Sequence, residues 1–290
     1  MTACPPDLPL HLSVLQAAAL GLTQGVSEFL PISSSGHLIL VPWAAGWRDV
    51  YCAKEGNKLF DVALHLGTFA GAALYLRRDL AALVRAWFAS VAARSVRGPQ
   101  QRLAWFLVLS AIPAAVTGAL LEGVITERLG QPWQIAVFLA VFGVVLWWVD
   151  RRAPRATGYE DLQRHQVVAM AVAQAFALMP GVSRSGITIT AARATGVSRD
   201  AAARFSFLMS LPVILGAGAY SLATLDGGLG GQGVPFAVGI VTSAVSGALA
   251  VFGVLAFLRR HSFGTFAWYR VAAAAAVLLL VATGVRSATL

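Results

Sequence analysis

The sequence predicts an all-α integral membrane protein with six transmembrane helices and two re-entrant broken-helix segments, arranged as an inverted-topology repeat. Composition, long apolar stretches and a pair of similar polar motifs lead to this prediction. Of the 290 residues, 58% are hydrophobic and 12% are charged, whereas soluble domains carry about 25% charged residues. The net charge of +9 comes mostly from arginines between apolar stretches. There they orient helices and contact anionic lipid, so nucleic acid is not expected as a partner.

Six apolar stretches have the length of roughly 17–25 residues that a membrane-spanning helix needs. They are residues 60–76, 103–121, 133–149, 205–225, 235–258 and 266–285. Two further apolar regions, about 8–47 and 167–196, are interrupted in the middle by polar residues. Each is predicted to form two short helices around a polar loop. Non-helical backbone at membrane depth is tolerated only where protein or a water-filled cavity surrounds it.

The distribution of arginine predicts the orientation. The connections 77–102 and 151–164 contain six and four arginines, and Arg259 and Arg260 follow the fifth predicted span. By the positive-inside rule these three connections are cytoplasmic. The connections 122–131 and 226–234 are poor in basic residues and are predicted outside, with both termini.

This topology requires segment 167–196 to begin and end on the cytoplasmic side, so it is re-entrant. If the first half follows the same plan upside down, segment 8–47 enters from outside. Residues 1–150 and 151–290 then form the two inverted halves of a single polytopic membrane domain. Such an architecture places functional sites near the bilayer midplane, where two broken helices meet.

The two polar motifs lie in the interrupted regions and resemble each other. The first ends in PISSSGH at 31–37, and the second is PGVSRSG at 180–186. Aligned on the last glycine, SSSG matches SRSG, and Gln24 and Gln174 lie upstream of them. Polar groups are costly in hydrocarbon unless they pair, face water or do chemistry. We therefore predict that the motifs are two halves of one site.

Glu28 and Arg184 are the charged residues of the motifs. Glu28 follows Gln24 by four residues, so the two share one face of a helix. It can bind a divalent cation, activate a water or hold another catalytic group, or else pair with Arg184 for structure alone. The planar guanidinium of Arg184 matches phosphate oxygens, although structural ion pairing is again the alternative.

The serines precede short helices that are predicted to begin near Gly36 and Gly186. A single serine at such a position is commonly an N-cap. Five serines on two matched loops indicate phosphate binding, because a helix N-terminus presents free N–H groups and a positive dipole end. His37 is a candidate general acid or base, or a neutral hydrogen-bond partner. Asp61 and His65 also share a helical face, but two ligands do not make a metal site, and we expect a hydrogen-bonding role in helix packing.

These residues resemble the bacterial undecaprenyl-diphosphate phosphatase family of the bacitracin-resistance type. Residues 24–28 look like the family's (E/Q)xxxE motif, residues 31–37 like its serine-rich loop ending in Gly-His, and residues 180–186 like its PGxSRSG motif. The similarity covers nearly the whole chain. The first motif position is Gln24 here, which cannot be a base or supply negative charge, so more of any acid or metal role falls on Glu28.

The resemblance implies a hydrolase of the bacterial cytoplasmic membrane whose site opens to the outer side. It removes the terminal phosphate from a C55 polyprenyl diphosphate and releases the monophosphate carrier lipid for peptidoglycan and other envelope polymers. The catalytic residues are then Glu28, Ser34, His37, Ser33 and Arg184, and the substrate-binding residues are Gln24, Ser35, Gly36, Gly181, Ser183, Ser185, Gly186 and Thr188.

In the mechanism that this implies, Ser34, or with less support Ser33, attacks the distal phosphorus while His37 or Glu28 assists proton transfer. A divalent cation, Mg²⁺ or Ca²⁺, offsets the charge of the diphosphate, with Glu28 as its possible protein ligand. Direct attack by water is the competing route, and the sequence does not separate the two.

The alternative function is a flippase or transporter of polyprenyl phosphate lipids that uses the same phosphate-binding site. Inverted repeats with broken helices are a transporter architecture. The discriminating feature is Glu28 with His37 beside the serine run, because a carrier needs phosphate binding but no proton-transfer pair. The expected partners are the polyprenyl diphosphate, membrane lipids and a second copy in a homodimer.

Overall fold

The computed structural model describes residues 10–154, 157–223 and 231–290, which form α-helices and contain no strand. The helices are α1 (Val14–Phe29), α2 (Ser34–Ala45), α3 (Arg48–Tyr51), α4 (Lys54–Tyr75), α5 (Arg77–Ala92), α6 (Pro99–Arg128), α7 (Pro132–Arg152), α8 (Arg164–Ala175), α9 (Arg184–Ala194), α10 (Arg199–Ala223), α11 (Gly233–Leu258) and α12 (Gly264–Ala282). The all-α prediction is confirmed. The first residues of segment 8–47, the end of span 205–225 and most of connection 226–234 lie outside the described residues.

Among the described residues, five helices are long and apolar enough to cross a membrane, namely α6, α7, α10, α11 and α12. They correspond to five of the six predicted spans, although α12 ends at Ala282, three residues before the end of the predicted span 266–285. The sixth, residues 60–76, lies in α4, which meets the same criterion only when it is taken together with α5. The first turns of α4 carry Asn57, Lys58 and Asp61, and these polar residues lower its hydropathy.

The predicted connection 77–102 contains a helix that the sequence analysis did not assign. α5 follows α4 after a break at Leu76 and is turned by 88° from it. The charged run Arg77-Arg78-Asp79 opens α5, so the chain leaves the apolar region at this point. An amphipathic helix at right angles to a span is suited to lie along the membrane surface.

The two interrupted regions each form two helical pieces, as predicted. Residues 30–33 separate α1 from α2, while a 3₁₀ turn at Phe176–Leu178 and residues 179–183 separate α8 from α9. The second pieces begin two residues earlier than predicted. The reason is that Ser33 and Ser183 are the N-caps, and each side chain accepts a hydrogen bond from the backbone N–H three residues later.

Small residues bring α1 and α4 close to α11. A Cβ atom added at Gly25 of α1 would lie 1.9 Å from Ser246 Oγ, and one added at Gly67 of α4 would lie 2.0 Å from Ser243 Oγ. Ser243 Oγ also donates to the Leu64 carbonyl at 3.0 Å. Close backbone approach through small residues is typical of helix packing in membranes. It fixes the end of α1 and the middle of α4, which contribute to the site below.

Candidate active site

Glu28 lies in the last turn of α1 with its side chain 4% exposed. Its Oε2 atom accepts hydrogen bonds from Gln24 Nε2 at 3.0 Å and from Ser34 Oγ at 2.5 Å. Its Oε1 atom accepts from Arg184 Nη2. A carboxylate, a hydroxyl and a guanidinium therefore converge from α1, α2 and α9, so residues of the two motifs are in direct contact.

Ser34 is the first residue of α2, and its hydroxyl donates to the Glu28 carboxylate. A hydroxyl held on a base is the arrangement that activates a nucleophile. Ser33 is bound differently: it is 1% exposed, and its Oγ accepts from Gly36 N at 3.3 Å and from Gly181 N at 3.1 Å. Ser33 therefore caps α2 and joins the two loops, so Ser34 is the better candidate for the predicted nucleophile.

A cavity of about 130 Å³ opens beside this contact. Its lining includes Glu28, Ser34, Ser35, Ser183 and Arg184 from the two motifs, together with His65, Gln174 and four apolar residues, Ala114, Ala177, Leu178 and Val213. One carboxylate, one guanidinium and three hydroxyls thus face a small space with a partly apolar wall. The composition suits a charged headgroup that is attached to an apolar chain.

The two loops that deliver these residues have matching geometry. Ser33 and Ser183 have φ angles of +78° and +74°, which are uncommon outside glycine and store strain that clusters at functional sites. Ser33 Oγ lies 3.5 Å from Ser35 Oγ, and Ser183 Oγ lies 3.3 Å from Ser185 Oγ. Each loop thereby points the N-terminus of a helix, α2 or α9, at the cavity.

Arg270 of α12 ties the two loops together, and the sequence analysis did not single it out. It is 0% exposed. Its guanidinium donates to the Pro31 carbonyl of the first loop at 3.3 Å and to the Gly181 and Val182 carbonyls of the second, both at 2.9 Å. A charge buried in the last span, satisfied by carbonyls of both motifs, holds the two helix N-termini in a fixed relation.

Comparisons with known proteins identify the family of the chain. Residues 17–276 match the family described as bacitracin resistance protein BacA. The chain belongs to this family. It is 44% identical over 277 residues to "Undecaprenyl-diphosphatase" of Pelobacter propionicus, covering 94% of this chain and 99% of the relative. It is 43% identical over 271 residues to "Undecaprenyl-diphosphatase" of Geobacter sulfurreducens, covering 92% and 98%. It is 41% identical over 273 residues to "Undecaprenyl-diphosphatase 2" of Stutzerimonas stutzeri, covering 93% and 98%.

Within this BacA-family chain, His37 does not line the cavity. Its Nδ1 atom lies 2.7 Å from the Ser33 carbonyl, and its Nε2 atom lies 2.8 Å from the hydroxyl of Tyr269, whose ring stacks on the imidazole at 5.7 Å. A carbonyl partner means that Nδ1 carries the proton. His37 thus braces α2 against α12, and its proton-transfer role stays a prediction.

His65 of α4 occupies the position beside the acid that His37 was expected to hold. Its Nε2 atom lies 3.5 Å from Glu28 Oε2, and its Nδ1 atom donates to the Asp61 carbonyl at 2.7 Å. We expected a helix-packing hydrogen bond for Asp61 and His65. The hydrogen bond to the Asp61 carbonyl is present, and the structure also places the His65 side chain, 31% exposed, in the cavity wall. In the sequence, the feature that could have indicated this role was the placement of Asp61 and His65 on one face of a membrane helix.

Of the remaining predicted residues, Ser185 and Thr188 turn toward protein. Ser185 Oγ donates to the Leu30 carbonyl at 3.0 Å. Thr188 Oγ1 bonds to the Arg184 carbonyl at 2.8 Å and to Ser206 Oγ at 2.7 Å. Both contacts support the loop and α9 without reaching the cavity.

The three predicted glycines permit close packing of the loops. A Cβ atom added at Gly36 would lie 3.0 Å from Ile135 Cγ2, and one added at Gly186 would lie 2.6 Å from Arg270 Nη1. Gly181 has a φ of +99°, where other residues are strained. Side chains at these positions would displace the helix N-termini from the cavity.

The oxygen ligands near the cavity suit a hard divalent cation that binds together with a diphosphate. Gln174, which lines the cavity, and Gln24, which does not, each have a buried Oε1 atom without a hydrogen-bond partner. Both side chains are oriented by the hydrogen bonds that their Nε2 atoms donate. Among the described residues there is no group of three His, Cys, Asp or Glu side chains that could hold a metal. Mg²⁺ commonly binds through one or two carboxylates plus substrate phosphates. Glu28 supplies one carboxylate, and an amide oxygen can add to it.

Proposed function

We propose that this protein hydrolyses undecaprenyl diphosphate to undecaprenyl phosphate and inorganic phosphate, which recycles the carrier lipid for peptidoglycan and envelope polymer synthesis. One observation carries the proposal: the Ser34 hydroxyl lies 2.5 Å from the Glu28 carboxylate at a cavity lined by Arg184. A phosphate-binding site alone needs no activated hydroxyl. The names of the curated relatives support the same substrate.

The diphosphate binds through charge and through helix N-termini. Arg184 reaches the cavity from α9, and the first turns of α2 and α9 present backbone N–H groups there. Charge-assisted hydrogen bonds from a guanidinium are stronger than neutral ones, and a helix N-terminus favours phosphate. In the free protein Arg184 pairs with Glu28, so the incoming phosphate competes for the guanidinium and releases the carboxylate for proton transfer.

The chemistry is transfer of the distal phosphoryl group. Ser34 Oγ forms a bond to the distal phosphorus while the bond from that phosphorus to the bridging oxygen breaks, and undecaprenyl phosphate leaves. Glu28 takes the proton of Ser34 and passes it to the leaving phosphate. Glu28 then accepts a proton from the water that attacks the phosphoserine, and returns one to Ser34 as inorganic phosphate departs.

Positioning and charge stabilisation supply most of the rate gain. In phosphoryl transfer the protein mainly aligns the groups and neutralises developing charge. Arg270 sustains that alignment by holding both loops. A bound Mg²⁺ or Ca²⁺ would neutralise charge on the phosphate oxygens, with Glu28 and the amide oxygen of Gln174 or Gln24 as its protein ligands.

Direct attack by water on the distal phosphorus is the competing route. Glu28 would then act as base toward the water, and Ser34 would bind the phosphate. The geometry favours the serine route. The Ser34 hydroxyl already donates a hydrogen bond to Glu28 Oε2, the atom that would have to accept the proton of an attacking water.

We also propose that residues 1–150 and 151–290 are inverted halves of one domain in the bacterial cytoplasmic membrane, with the site opening to the outer side. Support comes from the matched loops: Gln24 and Gln174 each precede the capping serine by nine residues, and both caps have the same hydrogen bond. This arrangement puts the headgroup near the bilayer midplane and leaves the lipid tail in the membrane.

The second candidate function, transport of polyprenyl phosphate lipids, is favoured by the paired broken helices. Phosphate release by the purified full-length protein distinguishes the two. With undecaprenyl diphosphate and Mg²⁺ or Ca²⁺, we expect one inorganic phosphate per lipid, and loss of release when a chelator is added. A carrier binds the lipid and releases none. Release that the chelator leaves unchanged contradicts the cation proposal but not the hydrolase.

A further inference from the structure

The surface around α5 has a second arrangement of charge that catalysis does not use. One side of α5 packs into the protein through Leu83 and Ser90, which are 5% and 3% exposed. Another side of the helix presents Val84, Phe88 and Val91, which are 45%, 61% and 45% exposed. These three residues are spaced as one stripe of a helix, so an apolar strip runs along the outer side of α5.

A groove of about 580 Å³ lies between α5 and the beginning of α6. Its polar lining includes Arg85, Arg97, Gln100 and Gln101, with Glu160 as its acidic residue. Arg85 Nε donates to its own helix at the Ala81 carbonyl. Within the described residues, no carboxylate oxygen lies within 4.0 Å of a side-chain nitrogen of Arg85 or Arg97.

Some arginines are paired with carboxylates inside the protein. Arg193 and Arg199 both pair with Asp150 at 2.8 and 2.9 Å, and Arg204 pairs with Asp79 at 2.6 Å. Arg85 and Arg97 have no such partner among the described residues and line one groove, so both guanidinium groups are available to a ligand that enters it. Guanidinium groups match phosphate oxygens in geometry as well as in charge.

We propose that this groove binds the phosphate headgroup of an anionic phospholipid, with the acyl chains along the strip formed by Val84, Phe88 and Val91. The right angle between α4 and α5 supports a lipid, because it lays the strip along the membrane surface. Basic groups beside an amphipathic helix at that depth meet lipid phosphates. A second copy of the chain fits less well, since a symmetric contact through this face would bring arginines of both copies together.

The test uses the full-length protein in detergent, titrated with short-chain phosphatidylglycerol, short-chain phosphatidylcholine or inorganic phosphate. Retained lipid is counted by native mass spectrometry. We expect phosphatidylglycerol to bind at least tenfold more tightly than phosphatidylcholine. The double variant Arg85→Ala/Arg97→Ala should bind it about 30-fold more weakly, because both guanidinium contacts to the phosphate are lost.

The matched control is Arg259→Ala/Arg260→Ala, which removes the same charge from exposed positions after α11. This control should bind phosphatidylglycerol within twofold of the wild type. Equal losses in the two double variants would overturn the proposal, since a general charge effect would explain them. Binding of inorganic phosphate as tightly as the lipid would also overturn the proposal. So would a mass spectrum in which the Arg85→Ala/Arg97→Ala variant loses a dimer and keeps its lipid, because the groove would then bind a second copy of the chain.

Phosphate release from a short-chain polyprenyl diphosphate separates this groove from the catalytic cavity. The Arg85→Ala/Arg97→Ala variant should release phosphate at the wild-type rate, because no groove residue lines the catalytic cavity. A fall in release parallel to the fall in lipid binding would mean that the groove is part of the substrate path, and the separate lipid site would be wrong.

Discussion

Replacing Glu28 by Gln should reduce phosphate release by about 100-fold or more. Glu28 accepts hydrogen bonds from three donors, on Gln24, Ser34 and Arg184. A glutamine keeps the shape and one acceptor oxygen, but its amide nitrogen then faces donors. Ser34 loses its base and Arg184 loses its counter-charge, while lipid binding should survive because the guanidinium and the helix N-termini remain.

Stability must be separated from chemistry in this experiment. Removing one partner of a buried ion pair costs about 3–5 kcal/mol, and the value here should fall at the lower end because Arg184 is 15% exposed to the cavity. Asp150→Asn is the matched control. Asp150 is 3% exposed, pairs with Arg193 and Arg199, and does not line the cavity.

The assay is single-turnover phosphate release, with lipid binding and thermal unfolding measured on the same preparations. Both variants should unfold at lower temperature than the wild type. Below that temperature, Asp150→Asn should keep release within about threefold, the scale expected for a site that touches no substrate. Release at the wild-type rate from Glu28→Gln would refute the role given to this carboxylate, and an equal loss in Asp150→Asn would assign the effect to stability.

Three further changes test other parts of the structure. Arg184→Ala should lower release by orders of magnitude and Arg184→Lys should restore only part of it, because lysine lacks the planar fork; full activity in the lysine variant would show that geometry does not matter there. A cysteine at Val96 should react with a membrane-impermeant reagent only from the cytoplasmic side in whole cells and inverted vesicles, and labelling from outside would reverse the orientation and contradict the inverted repeat. Gly25→Val should lower the unfolding temperature, because its side chain would collide with Ser246 on α11; an unchanged temperature would mean that the helices separate without cost.

The spans could be predicted because hydrophobic length is a local property of the sequence. α5 was missed for the same reason. Its sequence mixes Arg77, Arg78 and Arg85 with apolar residues, so its mean hydropathy is too low to indicate a membrane-spanning helix. The helix starts were placed two residues late because serine caps with positive φ angles are set by contacts between loops, such as Gly181 N to Ser33 Oγ.

The motifs identified the centre of the site but not its full membership. Glu28, Ser34 and Arg184 meet as expected, since each motif supplies part of one cluster. His37 follows Ser34 by three residues, yet its orientation is set by Tyr269, 232 residues away.

Residues outside the motifs complete the cavity and its supports. His65 and Arg270 arrive from α4 and α12, far from either motif in sequence. A single sequence contains no distances between helices. The position beside Glu28 was therefore assigned to His37 of the first motif, whereas the structure places His65 there.

The most direct test of the central claim is a single-turnover reaction of purified wild type and Ser34→Ala with undecaprenyl diphosphate and a divalent cation. Inorganic phosphate is measured, and the quenched protein is searched by mass spectrometry for phosphoserine. The wild type should release one phosphate per lipid and show transient phosphorylation at Ser34, and Ser34→Ala should bind the lipid but release nothing. Full release from Ser34→Ala would contradict the serine route, and no release from the wild type would contradict the hydrolase itself.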